Sequence, residues 1–229
     1  MLIKQWNKLP VEMQNEAVKP YYDLLRKRTV SLTIKRLFDI IMSIVLFLVL
    51  SPVFLIVSLL IKVDSKGPVF YRQQRVTQYG KIFRIYKFRT MVQNADKTGS
   101  LVTINNDTRV TKIGKKLRKY RLDEIPQLLN IISGDMTFVG TRPEVPKYVA
   151  HYTDEMKATL LLPAGVTSRV SIEYKDEEKI LKEAGNVDLV YIKTILPKKA
   201  ICNLDQVKNI SVLGDFSLLF LTLLKVFEK

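Results

Sequence analysis

Cysteine and histidine are nearly absent from this 229-residue chain: Cys202 and His151 are its only examples. A single cysteine cannot close an internal disulfide. A single histidine with no cysteine or second histidine nearby cannot build a zinc site. No Ser/His/Asp constellation is expected on the same ground. The chain also lacks a GxxxxGK[ST] loop and a GxGxxG turn, so neither common nucleotide fingerprint is present. It has no D-x-D pair, the signature of many metal-dependent nucleotide-sugar glycosyltransferases. Acidic residues are scarce, 22 against 37 Lys and Arg, for a net charge of +15. Such an excess implies polyanionic company: nucleic acid, an anionic membrane face or phosphorylated substrates. The lack of cysteine pairs accords with a reducing, cytosol-facing location.

Long apolar runs are missing too, with one exception. Residues 40–61, IIMSIVLFLVLSPVFLIVSLLI, carry no charge. As one straight helix these 22 residues would reach roughly 33 Å, about one hydrocarbon thickness. The run starts too far from the N-terminus for a signal peptide, and no small-residue cleavage site follows it. Ser51-Pro52 stands near its centre. Basic residues flank both ends, eight Lys and Arg in 1–39 and five in 62–81. A straight span must export one of these clusters, against the positive-inside rule. A bend at Pro52 keeps both on one side, because proline deletes a helix hydrogen bond and clashes with the preceding turn. The carbonyl freed in lipid needs a new donor, and the Ser51 hydroxyl is a candidate. The reading favoured over a kinked span is therefore a re-entrant helix-break-helix hairpin.

Elsewhere the pattern is that of a soluble protein. Residues 1–32 are polar with scattered apolar positions, suggesting short helices broken at Pro10 and Pro20. Alternation over 69–89 around Gln78-Tyr79-Gly80 predicts a β-hairpin. Residues 90–108 read as a loop and 109–121 as a short, very basic helix. Leu122–Pro126 opens a helix running to about Ser133, with Gly134 as its stop. Pro143 and Thr153 look like further helix starts, 163–178 is irregular, and 176–210 mixes a charged helix with a break at Pro197. Phe216, Leu219, Phe220, Leu223, Leu224 and Phe227 recur at helical spacing, an amphipathic helix for a core or a membrane surface.

Three stretches could carry chemistry. In RKYRLDEIP, adjacent Asp123 and Glu124 would point about 100° apart on a helix, too far to share one proton as a dyad. One could act as a nucleophile that forms an acyl phosphate while the other holds a cation. The helix start would keep Asp123 ionised and favour a phosphate nearby. The plain alternative is that Asp123 only caps the helix. In GDMTFVGTRPE, two glycines frame a short apolar segment that ends in Arg142, which suits a guanidinium placed on a phosphate, or a simple turn. In IYKFRTM, Lys87 and Arg89 share a strand face.

In this order, KRLFD, the central SP, GPVFYRQQR, IYKFRTM, RLDEIPQLLN, GDMTFVGTRPE and NLDQVKNISVLGD resemble the bacterial sugar transferase family, the monotopic phosphoglycosyl transferases, over residues 31–229. The resemblance implies transfer of a sugar-1-phosphate from a UDP-sugar to undecaprenyl or another polyprenyl phosphate, with release of UMP, as a first membrane step of surface glycan assembly. It implies a covalent phosphosugar on Asp123, with Glu124 assisting Mg²⁺ or its water, so that both acids serve as metal residues. Lys87 and Arg118 match family basic residues near the phosphates, and Arg142 matches the arginine of a Pro-Arg-Pro motif. Thr141 replaces the first proline of that motif, and Ala164–Ser168 replaces the family's Pro-Gly-Ile-Thr-Gly. Lys175 falls where relatives place an arginine, which keeps charge but loses the bidentate fork. A Ser-Pro-bent re-entrant helix, with Ser51 and Pro52 at the break, is also a family property.

The expected architecture is α+β and mainly helical. A membrane-surface extension occupies 1–34 and the re-entrant helix 35–62. A cytosolic phosphoglycosyl transferase domain with a β-hairpin and surface amphipathic helices occupies 63–229. The expected location is the bacterial cytoplasmic membrane, catalytic domain toward the cytosol. Expected partners are the UDP-sugar, undecaprenyl phosphate and membrane lipid, without nucleic acid; a homodimer is neither required nor excluded. The rival classes are a membrane-anchored basic nucleic-acid-binding module and a non-catalytic scaffold.

Overall fold

The computed structural model describes residues 3–95, 107–173 and 187–227. It is mainly helical, with two small two-stranded sheets. Two 3₁₀ turns, Trp6–Lys8 and Val11–Met13, precede helix α1 (Lys19–Lys27), which Pro20 opens rather than breaks. Proline is tolerated there because the first-turn N–H has no partner in the helix.

The apolar run forms the end of α2 (Thr29–Val49) and most of α3 (Ser51–Asp64), which meet at Leu50 with a 60° bend. Pro52 lies in the first turn of α3, so Leu48 loses the amide that would have bonded its carbonyl. The Ser51 hydroxyl donates to that carbonyl at 2.7 Å. Phe47 and Phe54 meet edge to face across the bend. Among the described residues no single helix is long and apolar enough to cross a membrane; the bent pair passes by length and composition together. One side of the bend, through Leu46, Phe47 and Leu50, packs on Phe83, Ile85, Leu128 and Ile131. The other side leaves Ile41, Leu48, Val49, Leu55, Ile56 and Leu59 exposed.

The expected hairpin forms from β1 (Phe70–Val76) and β2 (Ile82–Phe88), antiparallel, with Tyr71 opposite Lys87 and Arg75 opposite Phe83. Its turn uses positive φ at Tyr79 and Gly80. The basic helix α4 (Lys112–Lys119) is capped by the Thr111 side chain, which accepts from the Gly114 amide. A 3₁₀ segment, Leu122–Gln127, runs into α5 (Leu128–Ser133), and Gly134 ends it at φ 91°. Asn130 fixes α5 to the edge of β2, accepting from the Tyr86 amide at 2.8 Å and donating to the Arg84 carbonyl at 3.1 Å.

A second sheet was not anticipated. Strand β3 (Met136–Val139) pairs in parallel with β4 (Ala164–Thr167), in a region expected to be irregular. The chain between them holds α6 (Pro146–Val149) and a 3₁₀ segment, Met156–Leu161, so these helical starts fall three residues later than the sequence suggests. At the sheet's end Gly140 and Gly165 touch backbone to backbone; a Cβ on Gly165 would come within 2.2 Å of the Gly140 nitrogen. Short helix α7 (Arg169–Glu173) follows. Helix α8 (Val187–Val190) continues through a π turn, Tyr191–Ile195, into α9 (Leu196–Lys208). Pro197 therefore falls in the first turn of α9, and the wider π turn carries the chain past its missing N–H. The tail is α10 (Val212–Phe227).

Among the described residues the largest apolar cluster joins the N-terminal segment to the 3₁₀ segment Met156–Leu161 and to α9. Leu9, Met13, Val18, Tyr21, Tyr22 and Leu25 pack with Ala158, Leu160, Leu161, Leu204 and Val207. The N-terminal segment, expected along a membrane surface, thus sends most of its apolar side chains into this core and leaves Val11, Val30 and Ile34 exposed. Tyr21 donates to Glu155 at 2.6 Å, and Arg28 donates to the carbonyls of Lys208 and Ile210, which close α9.

Helices α2 and α10 are tied to the second sheet by polar contacts. Lys35 of α2 meets Asp215 of α10 at 2.5 Å. Asp39 of α2 accepts from the Thr137 hydroxyl at 2.5 Å and the Phe138 amide at 3.3 Å, both on β3. Thr222 of α10 donates to the Leu218 carbonyl, so its contact with Thr167 of β4 at 2.9 Å has Thr167 as the donor.

Candidate active site

Asp123 and Glu124 open the 3₁₀ segment after α4, and the turn that delivers them is strained. Arg121 has φ 56° and ψ 18°, a left-handed conformation that a non-glycine residue adopts at some cost. Arg121 occupies the N-cap position and no side chain caps this segment, so the capping role considered for Asp123 does not apply.

The neighbouring carboxylates have opposite surroundings. Glu124 is clamped. Its Oε1 accepts from Arg142 Nη2 at 2.6 Å and Lys87 Nζ at 2.9 Å, with Arg121 Nη1 at 3.7 Å. Its side chain is 11% exposed. Burial alone would raise its pKa, but Arg142 and Lys87 together outweigh burial and hold it well below the usual range. In return Glu124 raises Arg142, whereas burial pushes the Lys87 ammonium down despite Glu124. Asp123 is 9% exposed, and among the described residues its carboxylate has no hydrogen-bond or ion-pair partner. Burial pushes its pKa up, against the nearby charges of Lys87, Arg118 and Arg121. Contrary to the expectation that the helix start keeps Asp123 low, desolvation is the largest influence on it and raises it. The two adjacent acids are thus driven apart in pKa, Asp123 upward by burial and Glu124 downward by the two cations that clamp it.

The cations come from separate elements. Lys87 stands on β2 and Arg142 follows the Gly140–Thr141 crossing, where its Nη1 also donates to the Val166 carbonyl of β4 at 3.3 Å. Arg118 belongs to the last turn of α4. Lys87, Arg118, Asp123, Glu124 and Arg142 therefore converge, while Lys175 lies outside the described residues. Ser51 and Pro52 form the bend of the α2–α3 pair. Arg89 turns away from the site: its Nη2 donates to the carbonyl and hydroxyl of Ser65, at 2.6 and 3.0 Å, where α3 ends.

Sequence reasoning missed Arg75. From β1 its Nη1 donates to the Pro143 carbonyl at 3.0 Å, next to Arg142, while Nε and Nη2 bond Gln73. The Val76 amide donates to the Glu144 carbonyl at 2.9 Å. The same hairpin thus carries Lys87 and pins the turn that carries Arg142. The only available signal was an apolar-polar alternation that treats Arg75 as any strand cation.

Among the described residues no three His, Cys, Asp or Glu side chains gather to hold a metal. A divalent ion here would have Asp123 and the outer lone pairs of Glu124 from the protein. Its other ligands would be water and substrate phosphate, which is how Mg²⁺ is commonly held. Carboxylate oxygens are the hard donors that ion prefers, though Glu124 already accepts from Lys87 and Arg142.

The family model described as "Bacterial sugar transferase" matches residues 30–229. The chain is 38% identical over 135 residues to the putative undecaprenyl-phosphate N-acetylgalactosaminyl 1-phosphate transferase of Bacillus subtilis (strain 168), covering 59% of this chain and 75% of the relative. It is 33% identical over 221 residues to the UDP-glucose:undecaprenyl-phosphate glucose-1-phosphate transferase of Escherichia coli (strain K12), covering 94% of this chain and 45% of the relative. It is 42% identical over 123 residues to the UDP-N-acetylgalactosamine-undecaprenyl-phosphate N-acetylgalactosaminephosphotransferase of Aeromonas hydrophila. That match covers 54% of this chain and 29% of the relative, so the chain spans less than half of the latter two proteins.

Proposed function

The chain belongs to the bacterial sugar transferase family, and on that premise we propose that it moves a sugar-1-phosphate from a UDP-sugar to undecaprenyl phosphate in two displacements at Asp123. In the first, an Asp123 carboxylate oxygen attacks the phosphorus that bears the sugar. The Asp–O–P bond forms, the bond to the UMP oxygen breaks, and UMP leaves with the electron pair. In the second, a phosphate oxygen of undecaprenyl phosphate attacks the same phosphorus. The acyl phosphate breaks, Asp123 returns as a carboxylate, and undecaprenyl diphosphate sugar is formed.

The observation that carries this reading is the contrast between a clamped Glu124 and an uncommitted, nearly buried Asp123. Raised basicity suits a carboxylate nucleophile. Lys87, Arg118 and Arg142 supply the positive field that a phosphoryl transition state needs. Glu124 holds Lys87 and Arg142 in place as it neutralises part of their charge. Mg²⁺, when bound by Asp123 and Glu124, would neutralise charge on the donor diphosphate.

The α2–α3 pair is proposed to enter one leaflet and return, holding the site at headgroup height on the cytosolic side of the bacterial membrane. In that division 1–34 precede the membrane helix of 35–62, and 63–229 form the transferase domain. Lys175 is proposed to contact the donor.

The test is incubation with UDP-glucose or UDP-N-acetylgalactosamine, undecaprenyl phosphate and Mg²⁺. UMP release supports the proposal; UDP release would mean ordinary glycosyl transfer. Wild type is expected to form a phosphosugar adduct detectable by mass spectrometry, and Asp123→Asn is expected to abolish both the adduct and turnover. An active Asn variant would refute the nucleophile assignment.

A further inference from the structure

Helix α4 lies beside the last turns of α3. Leu117 and Ile113 pack with Val57 and Ile61, and Asp64 accepts from the Ile113 amide at 3.1 Å, so α4 begins where α3 ends. Its rotation is fixed by Gly114, where a Cβ would come within 2.1 Å of the Thr90 carbonyl oxygen. With that face pinned, Lys112, Lys115, Lys116 and Lys119 are turned to the outside. Lys62 and Lys66 are exposed at the adjoining end of α3. None of these six has an acidic partner among the described residues, although other lysines of this chain do. Tyr120 follows, 52% exposed, with the Lys119 ammonium 5.4 Å from its ring centre. On α3, against which α4 packs, Leu55, Ile56, Leu59, Leu60 and, at 89%, Val63 are exposed.

A like-charged ridge in water is ordinarily a solvated face. Here it belongs to a helix packed on α3, whose outward residues are apolar and poorly solvated, and an exposed tyrosine ends that helix. Apolar surface, an aromatic ring and cations without acidic partners are the three chemistries that the acyl, interfacial and phosphate layers of a lipid monolayer accept.

We propose that α4 and the end of α3 form a seat for anionic phospholipid headgroups, with the lipid phosphates among Lys62, Lys66, Lys112, Lys115, Lys116 and Lys119. The seat rests on the membrane reading above and adds to it a lipid chemistry and a place. Because α4 leads through Arg118 and Arg121 into Asp123, the seat also sets the depth of the carboxylate. It lies outside the group that clamps Glu124.

The test uses the full chain extracted in detergent from vesicles of phosphatidylcholine mixed with phosphatidylglycerol, with the co-purifying lipids quantified. Each lysine near an anionic surface contributes about a fivefold gain in binding. Wild type is therefore expected to retain phosphatidylglycerol several-fold above its share of the vesicle. The variant Lys112→Gln, Lys115→Gln, Lys116→Gln, Lys119→Gln should retain the two lipids in vesicle proportion, and the four corresponding arginine substitutions should keep the enrichment. Equal enrichment in wild type and the glutamine variant would overturn the seat. So would displacement of phosphatidylglycerol by inorganic phosphate at constant ionic strength, which would make the site one for free anions. Saturable binding of DNA or RNA at physiological salt, lost in the glutamine variant, would assign the ridge to nucleic acid instead. Lipid retention is read without turnover, so failure of the transferase reading would leave this result standing.

Discussion

Replacing Asp123 and Glu124 one at a time by their amides should move stability in opposite directions. Burial raises the Asp123 pKa, so its charged form costs stability above its usual value of 3.8. Asp123→Asn removes that charge at constant shape and should raise Tm. Glu124 is held below its usual 4.5, so it contributes stability above that pH and loses it as pH falls through the lowered folded value. Glu124→Gln should therefore lower Tm at neutral pH. The loss is expected to be about 2 kcal/mol, less than for a fully buried pair because the Arg142 side chain is 38% exposed. In acid the wild-type and Glu124→Gln melting temperatures should converge, as Glu124 itself becomes neutral. A melting series at neutral and acid pH reads all three outcomes. Arg75 acts through another residue, so Arg75→Gln should lower kcat roughly ten- to hundredfold with little change in KM, and Arg75→Lys should recover part of it. These residues were unequally legible. The acids and Lys87, Arg118 and Arg142 stood in ordered motifs. The opposite pKa directions did not, because they follow from which carboxylate Arg142 reaches across 18 residues of chain.

At the scale of elements, the hairpin, the basic helix and the Gly134 stop could be read from alternation and turn chemistry. Ser51 could be named in advance as the donor for a freed carbonyl, since the i−4 geometry of a helix fixes which carbonyl Pro52 leaves open. Pro52→Ala is expected to straighten the 60° bend, and cysteines placed in the two flanks should then differ in labelling by a cytosolic reagent. The parallel pair β3–β4 was not legible. Each strand has four residues, too few for a period, and their partnership depends on a glycine contact between distant positions. Gly165→Ala places a Cβ within 2.2 Å of backbone. It should cost about 1–3 kcal/mol in a melting experiment and reduce activity by displacing Arg142.

On the scale of the whole molecule, the N-terminal segment is a core component. Its buried positions are irregularly spaced around Pro10 and Pro20, so no helical or strand period announced them. Leu25 is fully buried, and Leu25→Ala should cost about 2–5 kcal/mol by thermal or denaturant unfolding. Removing residues 1–28 should expose Ala158, Leu160, Leu161, Leu204 and Val207 together and yield an aggregating protein by size-exclusion chromatography.

Two of the helices with outward apolar residues, α2 with Ile41 and α10 with Leu213 and Phe220, are each bonded directly to the sheet that precedes Arg142, α2 through Asp39 and α10 through Thr222. The molecule therefore contains its own depth gauge. Whatever surface those helices rest on, the guanidinium keeps a set height above it, and a substrate arriving from either side meets the same distance.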